Sequence, residues 1–264
     1  MTQKNTMSYY TRQTITQVHH WDDKLFSFKC TRDPELRFEN GQFVLIGLMQ
    51  NERPLLRAYS FVNADDEPEL EFLSIKVPDG ALTSRLQHIQ PGDELIVAKA
   101  AKGTLVVSDL APGKRLFLLA TGTGLAPFIS ILRDRQLTAK FEQIILVHGV
   151  RRVSELAYAA ELQRFAMNPG CHYYPTVTRE PFKHQGRIPT LMESGQLFRD
   201  LGLAPLDPAV DRAMICGNGP MLNETRALLE QQGFRGSPGK GQPGSFLVEQ
   251  AFAMQKQVNH RDQG

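Results

Sequence analysis

The sequence predicts two domains of different class. An N-terminal six-stranded antiparallel β-barrel occupies residues 1–110, and a doubly wound parallel α/β domain occupies residues 111–264. Short strand-like runs broken by Asp-, Pro- and Gly-containing turns fill the first hundred or so residues without a long helix. Beyond them, continuous apolar runs alternate with segments of helical spacing. A chain of 264 residues, 41% hydrophobic and 22% charged, is comfortable for two ordinary domains and has no disordered composition.

In order, "RQTITQVHHWDDKLFSFKC" reads as two strands around a turn at Trp21-Asp22-Asp23. "GQFVLIGLM", "RAYSFV", "LEFLSIKV" and "DELIVAKA" give four more, with "PDG" and "PGD" among the turns and one helical turn in "LTSRLQHI". The texture changes at "DLAPGK". "LFLLA" and "IILVHGV" read as strands buried on both faces, with Phe128, Ile131 and Leu132 on one side of a helix between them. "SELAYAAELQRF" is expected to be a helix capped by Ser154. "YYPTVT", "AMICG" and "GSFLVE" are strands, and "MLNETRALLEQQGF" a helix closing at Gly233. The loop "GSPGKGQPG" is expected to be mobile.

Bulk charge calls for no nucleic acid, since the net charge is only +2. The isoelectric point near 8.4 permits a modest basic face for an acidic partner. No run reaches the roughly 18 apolar residues of a membrane span, and "MTQKNTMSYY" is too polar for a secretion signal. Cys30, Cys171 and Cys216 lie far apart, which argues against a disulfide framework or an iron–sulfur cluster and for reducing cytoplasm. The seven histidines show no ligand spacing, so no metal site is expected. No long exposed apolar helix asks for a second copy, and a monomer is the default.

Three stretches carry chemistry. In "LLRAYSFVN", Arg57 and Tyr59 share one face of an extended strand, while Ala58 and Ser60 share the other. A cation beside an aromatic ring is either a surface accident or a clamp for something flat and anionic. In "LLATGTGLAPF", Gly122 and Gly124 sit where a parallel strand turns into a helix whose N-terminus favours phosphate. A full dinucleotide fingerprint would need glycine where this chain has Pro127, so a plain glycine-rich turn remains the other reading. Past the next strand ends, where a ribose-binding acid is usual, the chain has Arg151 and Arg152, then Thr178, Arg179 and Arg187. Hydroxyl and guanidinium groups at those ends suit a 2′-phosphate and favour NADP over NAD.

"RAYS", "PDGALTSRL", "ATGTGLAPF", "TVTRE…GRIP" and "MICGNGPM" follow one another with fitting spacing. In this the chain resembles bacterial ferredoxin–NADP reductases, also called flavodoxin reductases, over nearly its whole length. The resemblance implies FAD and NADP(H) as cofactors and ferredoxin or flavodoxin, a small acidic carrier, as partner. It implies that Arg57 neutralises the FAD pyrophosphate, that Tyr59 packs on the isoalloxazine and that Ser60 lies near its N5, with Ala58 in the same strand. It places Lys76, Val77, Gly80 and Leu82 around flavin and pyrophosphate, the Thr83 hydroxyl at the phosphate, and Thr123 where the two cofactors meet. For NADP it implies Gly122, Gly124, Arg151, Thr178, Arg179, Arg187, Gly217, Asn218 and Gly219. Cys216 would shape the nicotinamide pocket and Glu249 would serve a proton path with Ser60, these three forming the catalytic set. Ala251-Phe252 matches a bacterial subgroup with a tail beyond it: Ala251 at the flavin face, Phe252 nearer the adenine, and the polar remainder disordered or loosely docked. Two rivals stand beside this reading: a reductase of free flavins, quinones or another redox partner, which would share every motif, and a non-catalytic flavin-binding subunit, against which the presence of Thr178, Arg179, Arg187, Cys216 and Glu249 stands.

Overall fold

A computed structural model describes residues 9–51 and 53–251. Six antiparallel strands come first: β1 (Tyr10–His20), β2 (Leu25–Cys30), β3 (Phe43–Gln50), β4 (Arg53–Ser60), β5 (Leu70–Ile75) and β6 (Glu94–Ala98). They lie in the order β4-β3-β6-β1-β2-β5. β1 serves both halves of this sheet. Its first residues pair with β6 and, past a register shift between Ile15 and Gln17, the rest pair with β2. An irregularity of this kind bends a strand, here around the barrel's corner. The two edge strands then meet through the Phe61–Phe72 bridge, where the Val62 N–H donates to the Glu71 carbonyl at 2.9 Å. That bridge closes the expected barrel, and Phe26, Phe28, Phe61 and Phe72 fill it. The short helix α1 (Thr83–Leu86) buries Leu86 beneath it.

The second sheet is wholly parallel. Its strands are β7 (Arg115–Thr121), β8 (Gln143–Val150), β9 (Cys171–Val177), β10 (Asp211–Gly217) and β11 (Phe246–Gln250), in the order β11-β10-β7-β8-β9. The order reverses between β7 and β10, a switch point whose carboxyl end is where such sheets bind ligands. Leu118, Leu146 and Met214 pack on one face with α2 (Ala126–Leu132) and α4 (Ala159–Phe165). Phe117, Val147 and Ile215 pack on the other with α5 (Ile188–Glu193), α6 (Gln196–Leu201) and α7 (Gly219–Gln231). One further short helix, α3, spans Leu137–Lys140. Burial on both faces is why these strands read as unbroken apolar runs.

Three local expectations need correction or addition. Ser154 does not cap a helix: Val153–Glu155 form a 3-10 turn, and α4 begins only at Ala159. Tyr158 is the cause, because its left-handed conformation (φ 59°) cannot continue a right-handed helix. The 236–244 loop is tied down rather than loose. Ser237 donates to the Gln242 carbonyl at 2.8 Å, and the Gly241 N–H reaches the Asp109 carboxylate at 2.9 Å. Finally, α5 and α6 bury Ile188, Leu191, Met192, Leu197 and Phe198 at helical spacing, yet Gly195 (φ 72°) breaks the pattern between them and hides it from a periodicity scan. Phe252 and the tail beyond it lie outside the described residues. Among the described residues, no helix is long and apolar enough to cross a membrane.

Candidate active site

The site gathers where the carboxyl ends of β7 and β10 face the barrel. The chain leaves β7 through a 3-10 turn, Gly122–Leu125, and runs directly into α2. Gly122 takes φ 55°, a left-handed value that suits glycine. Gly124 is needed for a different reason: a Cβ there would collide with the backbone carbonyl of Cys216. Gly124→Ala should therefore push the turn away from β10 and cost about 1–3 kcal/mol, the usual range for forced overpacking, read as a lower thermal midpoint. Gly217 leaves room in the same way for Thr121, whose hydroxyl accepts from the Asn218 backbone at 3.2 Å. The Asn218 side chain in turn accepts from the Met221 N–H at 3.1 Å and caps α7.

The expected catalytic residues come from both domains and are linked through neighbouring groups. Cys216 on β10 is the register partner of Glu249 on β11. Gly103, in the loop after β6, lies against that carboxylate: a Cβ built on it would stand 3.0 Å from Glu249 Oε2 and 3.0 Å from the Phe43 ring. Phe43 is itself the cross-strand partner of Ser60. A path of adjacent groups therefore runs Ser60–Phe43–Gly103–Glu249–Cys216 across the domain junction. Gly103, at φ 110°, was not legible as part of the site from sequence. Only its place between the last barrel strand and the interdomain segment hinted at it.

Electrostatics separate these groups. Burial raises the Glu249 carboxyl from the ordinary value of 4.5 to about 7. Burial, with the Glu249 charge adding to it, holds the Cys216 thiol well above its usual range. Cys216 is thus a protonated wall, while Glu249 exchanges a proton near neutral pH. His148 on β8 is fully buried, its pKa lowered to about 4 by burial against an opposing backbone contact from Gly122. A neutral histidine under the glycine turn was another feature the sequence did not signal.

On the barrel side, Arg57 is half-buried and donates to the Leu56 carbonyl at 2.7 Å. Tyr59 is only 8% exposed. Its hydroxyl lies 3.0 Å from that of Ser74 and its ring edge-on to Phe72, so the core claims much of the residue expected to face the flavin. Lys76 and Val77 follow β5, with Val77 exposed and Leu82 buried. Thr83 donates to the Val77 carbonyl at 3.2 Å, folding the segment onto itself above Gly80. Past β11, the half-buried Ala251 donates its N–H to the Gly217 carbonyl at 3.1 Å, which sets it beside the switch point.

On the sheet side, the Arg179 N–H donates to the Arg151 carbonyl at 2.9 Å, and Thr178 Oγ1 donates to the Val150 carbonyl at 3.2 Å. These three exposed residues form one group at the ends of β8 and β9. Arg187 stands next to them, since the Gly186 N–H bonds to the Val177 carbonyl, but its guanidinium pairs with Glu224 at 2.7 Å.

Two observations test whether FAD and NADP fit here. The Thr123 hydroxyl is buried at the switch point with no hydrogen-bond partner among the described residues, as expected of a group that faces a ligand. Beside Gly122 and Gly219 there is open space among the described residues, which leaves room for a phosphate at the turn or at the start of α7. The residues present fit both groups.

A closed antiparallel barrel followed by a switch-point sheet, with groups of this chemistry at their junction, defines a two-domain flavin- and pyridine-nucleotide-dependent oxidoreductase. Residues 13–106 match the oxidoreductase FAD-binding domain family and residues 118–227 the oxidoreductase NAD-binding domain family. The chain is 54% identical to a ferredoxin–NADP reductase of Pseudomonas aeruginosa, covering 93% of this chain and 99% of that protein. It is 35% identical to a flavodoxin/ferredoxin–NADP reductase of Escherichia coli, covering 89% and 96%. Its fold superposes on a crystal structure of a ferredoxin–NADP+ reductase from Neisseria gonorrhoeae with bound FAD and NADP at a TM-score of 0.87 and 31% identity, over 92% of this chain and 99% of that one. The chain belongs to the ferredoxin–NADP reductase family.

Proposed function

We propose that this chain uses the junction of Ser60, Glu249 and Cys216 to bring NADPH onto FAD and to supply single electrons to a small acidic carrier, ferredoxin or flavodoxin. The observation that supports the assignment of residues is the run of neighbours Ser60, Phe43 and Gly103 from the barrel and Glu249 and Cys216 from the sheet, which meet across the domain junction. FAD, when bound, supplies the conversion between a two-electron hydride and single electrons.

The protein's own groups do the rest. Arg57 binds the pyrophosphate as a charge-matched fork, with Ala58 exposed beside it and Tyr59 as a wall fixed through Ser74. Lys76, Val77, Gly80, Leu82 and Thr83 close over the same ligand, and Thr123 and Ala251 border it from the sheet side. Gly122, Gly124, Gly217, Asn218 and Gly219 admit the nucleotide to the switch point. Ser60 orients the reacting edge, Cys216 shapes the pocket as a neutral thiol, and Glu249 holds or releases a proton at Oε2. The division between the domains falls at residues 110/111. The chain works as a monomer in the cytoplasm, in keeping with three free, buried cysteines.

Arg151, Thr178, Arg179 and Arg187 bind the 2′-phosphate and set the preference for NADPH. A hydrogen bond to a charged group contributes about 1.5–3 kcal/mol, so Arg179→Ala should weaken NADPH binding roughly 10- to 150-fold. NADH binding should not change; equal losses for both would refute the role. The reading as a whole is tested by anaerobic titration of the purified protein with NADPH and with NADH, following the visible absorbance of the flavin. Fast bleaching by NADPH and slow bleaching by NADH are expected. A colourless protein, or one neither coenzyme reduces, would overturn it.

A further inference from the structure

A polar cluster joins the two domains away from the groups assigned above. Arg133, at the end of α2, donates to Glu161 Oε1 at 2.8 Å and Oε2 at 3.0 Å within its own domain. Its other nitrogen crosses to the barrel, meeting Glu71 Oε2 at 2.8 Å and the Val62 carbonyl at 3.3 Å. The second oxygen of Glu71 accepts from the Tyr158 hydroxyl at 2.8 Å. Glu71 and Tyr158 are 5% and 6% exposed. The Trp21 ring, from the β1–β2 turn, lies over Tyr158 with centroids 4.6 Å apart. Tyr158 holds this place in a left-handed backbone conformation that costs a bulky residue energy and persists only where its surroundings enforce it. Ser130, one turn before Arg133, adds a bond to the Asn63 carbonyl at 2.8 Å.

The cluster is connected at both ends to the reacting groups. Glu71 accepts the Val62 N–H through its backbone and neighbours the Phe61–Phe72 bridge, immediately after Ser60. Arg133 terminates the helix whose other end is the glycine turn bearing Thr123 and Gly124. We propose that Arg133, Glu71 and Tyr158 form an interdomain latch that sets the spacing of Ser60 from the glycine turn, and hence from Cys216 and Glu249. They are positioning residues. None is among the residues assigned to cofactor or coenzyme, and the proposal rests on the active-site reading given above.

Because the 2′-phosphate group of arginines and the glycine turn belong to one domain, loosening the latch separates binding from chemistry. In the FAD-loaded protein, Arg133→Gln should leave FAD content and NADP+ affinity unchanged while slowing flavin reduction by NADPH about 10- to 100-fold, the usual penalty for misplacement on the order of an ångström. Arg133→Lys should recover part of the rate. Tyr158→Phe, which keeps the ring and its packing, should show the same pattern more weakly. Arg133→Gln combined with Glu71→Gln should be no slower than the slower single variant, since both remove one latch. Amide hydrogen exchange in the 60–62 and 122–124 segments should accelerate together in Arg133→Gln. An unchanged reduction rate, a rate loss matched by equal loss of NADP+ affinity, or a loss that only tracks lost FAD would each overturn the latch. If NADPH fails to reduce even the unmutated protein, the active-site reading falls, and the exchange experiment alone decides the latch: coupled acceleration of both segments supports it, and unchanged exchange removes it.

Discussion

Arg57→Ala is expected to emerge from purification largely colourless. The two hydrogen bonds that a guanidinium makes to a diphosphate contribute about 1.5–3 kcal/mol each, so losing both weakens FAD binding roughly 10²- to 10⁴-fold. The barrel itself should survive, because its closure depends on the Phe61–Phe72 bridge and a phenylalanine-rich core, none of which Arg57 supports. The visible flavin absorbance relative to protein absorbance measures the loss, and far-ultraviolet circular dichroism checks the fold. Arg57→Lys should retain part of the flavin, since it keeps the charge but loses the fork. A fully yellow Arg57→Ala protein would remove Arg57 from the pyrophosphate.

Glu249→Gln should slow flavin reduction by about 10²-fold or more, the usual contribution of a positioned proton-transfer group. With Glu249 near 7, the rate in the unmutated protein should change across neutral pH, and that inflection should disappear in the glutamine variant. The same group affects stability in a defined direction. Its folded pKa lies above the ordinary value of 4.5, so the folded state holds the proton more tightly than the unfolded chain does. The resulting stabilisation is complete below the unfolded value and is lost as pH rises through about 7, where the buried charge costs the fold up to about 3 kcal/mol. Glu249→Gln should accordingly melt higher than the unmutated protein above neutrality, with the gap closing as pH falls toward 4. A slower and more stable variant is the signature expected of a carboxylate kept for reactivity. Unchanged pre-steady-state reduction would reject the role.

The architecture was legible in the sequence because each domain declares itself through a local pattern. Turn-punctuated short runs mark the barrel, and the continuous apolar runs "LFLLA" and "IILVHGV" read as strands covered on both sides. The placing of the glycine turn and of the arginines at the ends of β8 and β9 was legible for a similar reason: a parallel sheet puts its strand-to-helix turns and strand ends at predictable points in the sequence. What the sequence hid is non-local or contrary to propensity. Nothing near Arg133 announces that its partner lies 62 residues away on β5. Gly103 matters through Glu249, a residue on the far domain. "SELAYAAELQRF" has good helical spacing, yet tertiary contacts hold Tyr158 in a left-handed turn and shift the helix onset to Ala159. Gly195 likewise splits one apolar pattern into two short helices.

The place of β11 in the chain has a consequence for synthesis. Strand order in space puts β11 against β10, but strand order in time makes it the last described strand to leave the ribosome. The barrel, complete by Ala98, can close and take up flavin while the second domain is still being translated. The strand that sets Glu249 beside Cys216 arrives nearly 150 residues later, so a nascent barrel is without either residue of that pair. If Glu249 plays the part proposed for it, reduction by NADPH waits until β11 has been made. A ribosome stalled before Phe246 should hold a yellow, folded barrel that NADPH reduces poorly.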